Sequence, residues 1–261
     1  MPPGAEATQL RSVAVLERDH IRVQQAVATR VDLGPMLAVC GLGGGAGATT
    51  LSYLVAQAAV EQDHGPVLVA DTGGPSGGLA TLAGVETSHS LVELAAHIAG
   101  HRPLEGGVYA TGPSGVRVLA TAPEFRTIGT HEQLVGLLLD AREAHRLTVI
   151  DCGTLARDAD RIALAAATHV AWVLPATKDG IRRGRRVLEA APAVAARPLI
   201  VGRRDVGQSK AALRELRCIA SARPAPLVLV PHLPELEPRK LDRAVETAQV
   251  PLQAILGALM R

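Results

Sequence analysis

Short apolar runs alternate with helical stretches from residue 36 to the end of the chain, and this alternation limits the folds open to it. The runs are rich in Val, Leu, Ile and Ala and contain few polar residues. Strands that are apolar at almost every position have both faces covered, as in parallel sheets flanked by helices. The pattern predicts one α/β domain with a doubly wound, mostly parallel, seven-stranded sheet. The predicted strands span residues 36–40, 66–71, 115–121, 146–153, 169–176, 197–202 and 226–231.

Helices are predicted between these strands, and two of them begin with a capping box. Ser90–Glu93 and Thr130–Gln133 each place an acidic or amide side chain three residues after a hydroxyl, which caps a helix N-terminus. Residues 1–34 have a weaker helical period that ends at Gly34 and Pro35, so we predict a helical extension over 1–34 and a main domain over 35–261. The predicted helices span residues 49–62, 90–98, 130–144, 159–167, 178–190, 207–221, 238–247 and 250–260.

Charge is distributed unevenly, although the net charge is only +2. The segment 178–223 contains twelve Lys or Arg and four Asp or Glu. Such a segment either meets phosphates, anionic lipid or an acidic partner, or forms solvated helix faces. With one Trp, two Tyr and one Phe, the chain lacks the aromatic residues of a stacking platform for single-stranded nucleic acid. The sequence has no signal pattern and no apolar run of about 18 residues, so a cytoplasmic protein is expected.

The segment 40–50, CGLGGGAGATT, lies between a predicted strand and a predicted helix. Glycines there let several backbone N–H groups point at one anion, and the helix N-terminus adds a partial positive charge. In a phosphate-binding loop, a lysine adds a full charge for the phosphates and a Ser or Thr binds magnesium. Here Ala48 stands where that lysine is expected, before Thr49.

With this segment the chain resembles the MinD/ParA family of deviant P-loop ATPases, whose loop reads Lys-Gly-Gly-x-Gly-Lys-Thr-Thr. The glycines and both threonines match, whereas both lysines are absent. Ala48 replaces the lysine that grips the phosphates, and Gly43 replaces the signature lysine that reaches the partner's nucleotide across a dimer. The resemblance implies that a nucleotide would bind at Gly43, Gly44, Gly45, Ala46, Gly47, Ala48, Thr49 and Thr50.

The resemblance extends over most of residues 35–261. Asp71 matches the first aspartate of the family's second-strand segment and is the one candidate catalytic residue, whereas Gly73 replaces the second aspartate. Asp151, in TVIDCG, matches the Walker B aspartate, so the resemblance implies Thr49 and Asp151 as magnesium ligands. The family's adenine-contacting Asn after the sixth strand is replaced by Gly202–Arg203.

Loss of these polar groups predicts that ATP and magnesium bind weakly or not at all and that hydrolysis is absent or weak. One cation at a transferring phosphoryl group is worth roughly 10³-fold or more in rate. A basic residue from elsewhere in the chain could restore hydrolysis by supplying the missing positive charge, and the candidates follow the fifth predicted strand. They are Arg182, Arg183, Arg185 and Arg186, which are alternatively nucleic-acid contacts or a solvated helix face. For His232 a local hydrogen bond is expected rather than catalysis.

Three functions from different classes fit these features. The first is a homodimeric positioning or scaffold protein for a bacterial cell-surface, secretion, partition or division apparatus; the chain resembles TadZ/CpaE-like members in its degenerate loop but lacks the receiver-like domain often found before it. The second is a slow ATP-dependent dimerisation switch. The third is a DNA or anionic-membrane binder that uses segment 178–223, with 251–261 as a membrane-contacting helix and a peripheral location at the inner membrane.

Overall fold

The computed structural model describes residues 33–72, 78–86, 94, 109–120, 130–190, 195–204, 210–233, 236 and 241–260. These residues form a single α/β domain around one sheet with helices on both faces. The predicted extension over 1–34 lies outside the described residues except for Leu33 and Gly34, and the predicted helix 90–98 lies outside them except for Leu94.

The sheet has eight strands among the described residues, one more than the sequence predicts. Their spatial order is β3-β4-β2-β5-β1-β6-β7-β8, and every pair is parallel except β3 with β4. The extra strand, β3, pairs antiparallel with β4 at the edge of the sheet. It has only two residues, which is too short to produce an apolar run in the sequence. The strands are β1 Met36–Gly41, β2 Val67–Asp71, β3 Ala110–Thr111, β4 Arg117–Leu119, β5 Leu147–Asp151, β6 His169–Pro175, β7 Arg197–Arg203 and β8 Leu227–Val230.

Helices follow the predicted alternation, with boundaries that move by a few residues. They are α1 Ala48–Glu61, α2 Gly78–Ala83, α3 His131–Ala144, α4 Asp158–Ala166, α5 Lys178–Ala190, α6 Lys210–Ala222, α7 Leu241–Thr247 and α8 Gln249–Leu259. The short helix α2 is not predicted by the sequence, because six residues are too few for a helical period. At the start of α3 the capping box is confirmed: Thr130 N donates to Gln133 Oε1 at 2.7 Å, and Gln133 N donates to Thr130 Oγ1 at 3.3 Å.

Two hydrophobic cores, one on each face of the sheet, explain why the strands are apolar throughout. In β1, Met36, Ala38 and Cys40 face the core formed with α3, α4, α5 and α6. Leu37 and Val39 face the opposite core, formed with α1, α2, α7 and α8. Because successive strand residues point to opposite faces, both sets of side chains must be apolar.

The carboxyl ends of the parallel strands meet at one edge of the sheet, where ligands of such folds bind. Strands β1, β2, β5, β6 and β7 all end at this edge. Among the described residues no helix combines the length and the apolar character needed to cross a membrane.

Candidate functional site

The glycine-rich loop joins β1 to α1, and hydrogen bonds to the loop after β5 and to strand β6 hold the point where it leaves β1. Gly41 N donates to Gly153 O at 2.6 Å, and Leu42 N donates to Val173 O at 2.8 Å. Gly45 has φ 69° and Gly47, the N-cap of α1, has φ 93°. Residues with a Cβ rarely adopt these left-handed values, so the backbone path itself requires glycine at both positions.

Gly43 and Gly44 have no such backbone reason to be glycine. Neither has a left-handed φ, and a Cβ added at either would meet no protein atom within 4 Å. Gly44 is exposed. The absence of a side chain at these two positions therefore leaves the outer face of the loop open to a molecule that approaches its backbone.

Ala48, the residue in place of the phosphate-binding lysine, is the first residue of α1 and is 8% exposed. Its methyl group belongs to the core that α1 forms with the sheet, and its Cβ lies 3.5 Å from where a Cβ of Gly41 would stand. The position therefore contributes packing at the base of the loop and no charge.

Thr49 and Asp151, which are far apart in the sequence, are brought together by the neighbouring strands β1 and β5. The Thr49 hydroxyl is hydrogen-bonded to the Asp151 carboxylate, which also accepts a hydrogen bond from Gly153 N at 3.0 Å. Asp151 is 6% exposed. Burial raises the pKa of this carboxyl, while the bonds from Thr49 and Gly153 and the charge of Arg157 oppose the rise.

Asp71 lies beside this pair, because it ends β2 in register with Asp151 at the end of β5. Residues in register on adjacent parallel strands point to the same face of the sheet. The arrangement places a hydroxyl and two buried carboxyl groups at one edge, and hydroxyl, carboxylate and water oxygens are the ligands that magnesium accepts. The oxygen donors present therefore fit a magnesium ion bound through Thr49 and Asp151.

A second polar cluster, which sequence reasoning missed, lies next to these residues. Asp160 on α4 is 1% exposed and forms an ion pair with Arg157 at 2.9 Å. Thr72 donates a short hydrogen bond to Asp160, and Arg157 Nη2 donates to Thr72 Oγ1 at 3.1 Å. The available signal was the charged run RDAD after the strand that ends at Asp151.

On the other side of the loop is a cavity of about 150 Å³. Its wall includes Thr50 of α1, Val201 of β7 and His232 after β8. Arg203, the last residue of β7, also lines the cavity, and its Nη1 donates to Gly45 O at 2.7 Å. Sequence reasoning treated Arg203 only as a departure from the family's Asn, because contact with the loop depends on where β7 ends.

The four candidate rescue arginines lie on α5 and are all exposed. Arg182 pairs with Asp179 of the same helix at 3.4 Å, and Arg185 pairs with Glu215 of α6 at 3.0 Å. The helix itself packs on the loop, since a Cβ at Gly184 would lie 3.4 Å from Leu42 Cδ1. A role for these arginines at a bound phosphate stays a prediction.

No protein-family model and no curated protein matches the chain. Solved structures do match. A ParA family ATPase from Chlorobium tepidum TLS superimposes with a TM-score of 0.66 at 15% identity, over 86% of this chain and 93% of that chain. A chain of the MinC:MinD cell division protein complex of Aquifex aeolicus superimposes with a TM-score of 0.67 at 15% identity, over 86% of this chain and 96% of that chain.

A third match has a nucleotide bound. Cobyrinic acid a,c-diamide synthase from Mycobacterium smegmatis, with bound ADP and magnesium, has a TM-score of 0.60 at 17% identity, over 85% of this chain and 95% of that chain. Identities this low establish the fold and leave activity open, as the different functions of these proteins illustrate. The chain therefore has the P-loop NTPase fold of MinD and ParA proteins.

Proposed function

We propose that this chain is a MinD/ParA-like protein with a degenerate nucleotide site, and that it acts as a dimerising positioning or scaffold protein. The apparatus served would be a bacterial cell-surface, secretion, partition or division assembly. One observation carries the proposal: the loop keeps its left-handed glycines and the Thr49–Asp151 hydrogen bond, whereas a buried methyl group occupies the position of the catalytic cation at Ala48.

The loop residues would bind a phosphate chain through backbone N–H groups at the N-terminus of α1. Thr49 and Asp151 would hold the magnesium ion, with Asp71 beside them. ATP and magnesium, when bound, supply the transferable phosphoryl group and part of its charge compensation. Without a lysine at position 48, the transition state loses a cation worth roughly 10³-fold or more, so binding without rapid turnover is expected.

Assembly is the expected role of such a site. The MinC:MinD complex that matches this fold is a cell division protein complex, which supports a role with protein partners. Gly43 and Gly44 keep the outer face of the loop free of side chains, which suits the close approach of a second copy at this face.

The test measures molar mass by light scattering and phosphate release, each with and without ATP and magnesium. We expect a dimer, and phosphate release from the wild type no faster than from Thr49→Ala, which removes the magnesium-binding hydroxyl. Phosphate release clearly above that of Thr49→Ala would refute the scaffold function. It would support the slow ATP-dependent switch, which the retained Thr49, Asp151 and Asp71 favour.

A third function, binding to DNA or an anionic membrane surface, is favoured by the exposed side chains of Arg182, Arg183 and Arg186 on α5. This function would place the protein in the cytoplasm or peripherally at the inner membrane. Retention on duplex DNA or on anionic vesicles, weakened by salt and by Arg183→Glu with Arg186→Glu, would support it. Retention that is absent at low salt would exclude it.

A further inference from the structure

A cavity of about 510 Å³ lies between the last residues of α5 and α6. Two arginines bridge the helices beside it. Arg185 of α5 pairs with Glu215 of α6 at 3.0 Å, and Arg223, which follows α6, donates a short hydrogen bond to Leu188 O. We call this cavity the α5–α6 groove; besides Arg185 and Arg223 it is lined by Leu188, Glu189, Cys218, Ile219 and Ala222.

The floor of the α5–α6 groove is apolar, whereas its border is polar. Leu188 is 2% and Ile219 is 6% exposed, and both belong to the hydrophobic core on this face of the sheet. Cys218 and Ala222 are exposed beside them. In protein–protein contacts a bulky apolar side chain fills such a pocket and polar groups surround it. The volume of the groove falls within the roughly 300–1,000 Å³ that is usual for ligand pockets.

The two helices that form the groove carry a large excess of positive charge. Residues 178–190 and 210–223 contain nine Lys or Arg and three Asp or Glu, a net charge of +6, against +2 for the whole chain. Pairing of every acidic residue with one basic residue therefore still leaves six positive charges on these helices.

Two exposed arginines place part of this charge at the border of the groove. Arg186 precedes Glu189 by three residues on α5, and Arg214 precedes Cys218 by four on α6. Residues three or four apart lie on the same side of a helix, so both arginines stand next to residues that line the groove. Charge complementarity therefore favours an acidic partner.

A protein segment fits this surface better than DNA or a membrane does. Phosphate contacts come from Lys and Arg side chains and need no apolar pocket, so they would leave the cavity over Leu188 and Ile219 unfilled. The carboxylates of Glu189 and Glu215 stand on opposite walls and would repel phosphate oxygens. A peptide supplies both apolar side chains for the floor and carboxylates for the border.

We propose that the α5–α6 groove docks an acidic, amphipathic segment of a partner protein. A bulky apolar side chain of that segment fills the cavity over Leu188 and Ile219, while its Asp or Glu residues pair with Arg186 and Arg214. The apolar contact holds the segment in place, and the charges speed its association and select acidic partners. The inference goes beyond the proposed function, because this surface involves neither the glycine-rich loop nor a nucleotide.

The first part of the test selects binders from a display library of short random peptides on the immobilised full chain. We expect the selected peptides to combine a bulky apolar residue with an excess of Asp and Glu. Fluorescence anisotropy then measures the affinity of one selected peptide, synthesised with a dye, at low and high salt. Selection of no peptide, or of peptides without acidic residues, would overturn the proposal.

Variants at Cys218 test the cavity without changing the charge. Cys218→Trp fills the groove at an exposed position, and it should weaken binding of the selected peptide at least about 10-fold. Cys218→Ser keeps the cavity open and should bind within about twofold of the wild type. Ser221→Trp is the matched control, since it adds the same side chain at an exposed position of α6 that does not line the groove. Unchanged affinity in Cys218→Trp would overturn the proposal.

Variants of the border arginines test the charge. Arg186→Glu and Arg214→Glu should each weaken peptide binding about 3- to 10-fold at low salt and less at high salt. Arg243→Glu makes the same change of charge at an exposed position of α7, on the other face of the sheet, and should bind within about twofold of the wild type. Equal weakening by Arg186→Glu and Arg243→Glu would reveal a response to net charge alone and would contradict docking at the groove.

The Cys218 thiol also reports occupancy of the groove directly. Cys40 and Cys152 are buried, so an alkylating reagent reaches Cys218 first. The selected peptide should slow this alkylation, and alkylation at an unchanged rate under saturating peptide would place the peptide elsewhere and overturn the proposal. Melting curves verify that each variant is folded.

Two other occupants are distinguished by the same proteins. Salt-dependent retention on duplex DNA or anionic vesicles by a chain that selects no peptide would make this a phosphate-binding surface. Self-association of the wild type that Cys218→Trp abolishes would make the occupant a second copy of the chain. Either result would overturn the proposal. None of these measurements uses a nucleotide, so a groove that binds no peptide would leave the ATP-dependent test of the proposed function intact.

Discussion

Replacing Gly44 by alanine tests whether this position is glycine because the fold requires it or because a ligand approaches the loop there. Gly44 is exposed, does not have a left-handed φ, and has no protein atom within 4 Å of where a Cβ would stand. The added methyl group therefore costs the folded state nothing and reduces the conformational freedom of the unfolded chain. An increase of about 0.4–1 kcal/mol in the free energy of unfolding follows.

Gly47→Ala is the matched control in the same loop. Gly47 has φ 93°, and a Cβ there would lie 3.5 Å from Arg203 Cδ. A left-handed alanine costs about 1–2 kcal/mol. Since about 1 kcal/mol shifts the melting temperature of a domain of this size by roughly 2–4 °C, Gly44→Ala should melt about 1–4 °C higher than the wild type and Gly47→Ala about 2–8 °C lower.

Scanning calorimetry measures the melting temperatures, and titration with pyrophosphate measures binding by the same variants. We expect Gly44→Ala to bind at least about 10-fold more weakly although it is more stable, because its methyl group stands on the open face of the loop. A Gly44→Ala protein that melts several degrees lower would show that the fold itself requires this glycine. Unchanged pyrophosphate binding in a stabilised Gly44→Ala protein would show that no ligand approaches this face.

Three further predictions follow from buried or capping groups. Burial raises the pKa of Asp151, so the wild type loses stability as the pH rises through that pKa. Asp151→Asn should therefore raise the melting temperature at pH 7, and the difference in melting temperature between variant and wild type should shrink in acid. The same variant should abolish the magnesium dependence of ATP binding. Burial lowers the pKa of His145, whose Nδ1 lies 2.8 Å from Ala141 O. The stability that the neutral imidazole contributes is therefore complete above about pH 6.5 and is lost as the pH falls through the lowered pKa. The melting temperature of His145→Gln should depend less steeply on pH in this acid range than that of the wild type, and an equally steep dependence would refute the argument. Thr130→Ala removes the N-cap of α3 and should lower the free energy of unfolding, measured in urea, by about 1 kcal/mol. Glu132→Ala, two residues further along the same turn, is the control because it leaves the cap intact.

Local patterns in the sequence were sufficient for several features. The Thr130 capping box, the strand that ends in Asp71 and the start of α1, predicted at residue 49 and observed at Ala48, depend on residues a few positions apart, so propensity and spacing indicate them. The two-residue strand β3 and the six-residue helix α2 were not predicted, because a hydrophobic period can be recognised only over more residues than these elements have. The pairing of Thr49 with Asp151 was expected only through the resemblance to the MinD/ParA family.

By itself the sequence determined the α/β class, the alternation of strands and helices, and a glycine-rich loop without lysine between a strand and a helix, because each is encoded in hydrophobic period or in adjacent residue types. Only the tertiary structure decided which charges meet at that loop. Arg203 contacts Gly45 from 158 positions away, and Arg157 contacts Thr72 from 85 positions away. These contacts depend on strand order and register, which result from the packing of the whole sheet and leave no trace in local spacing.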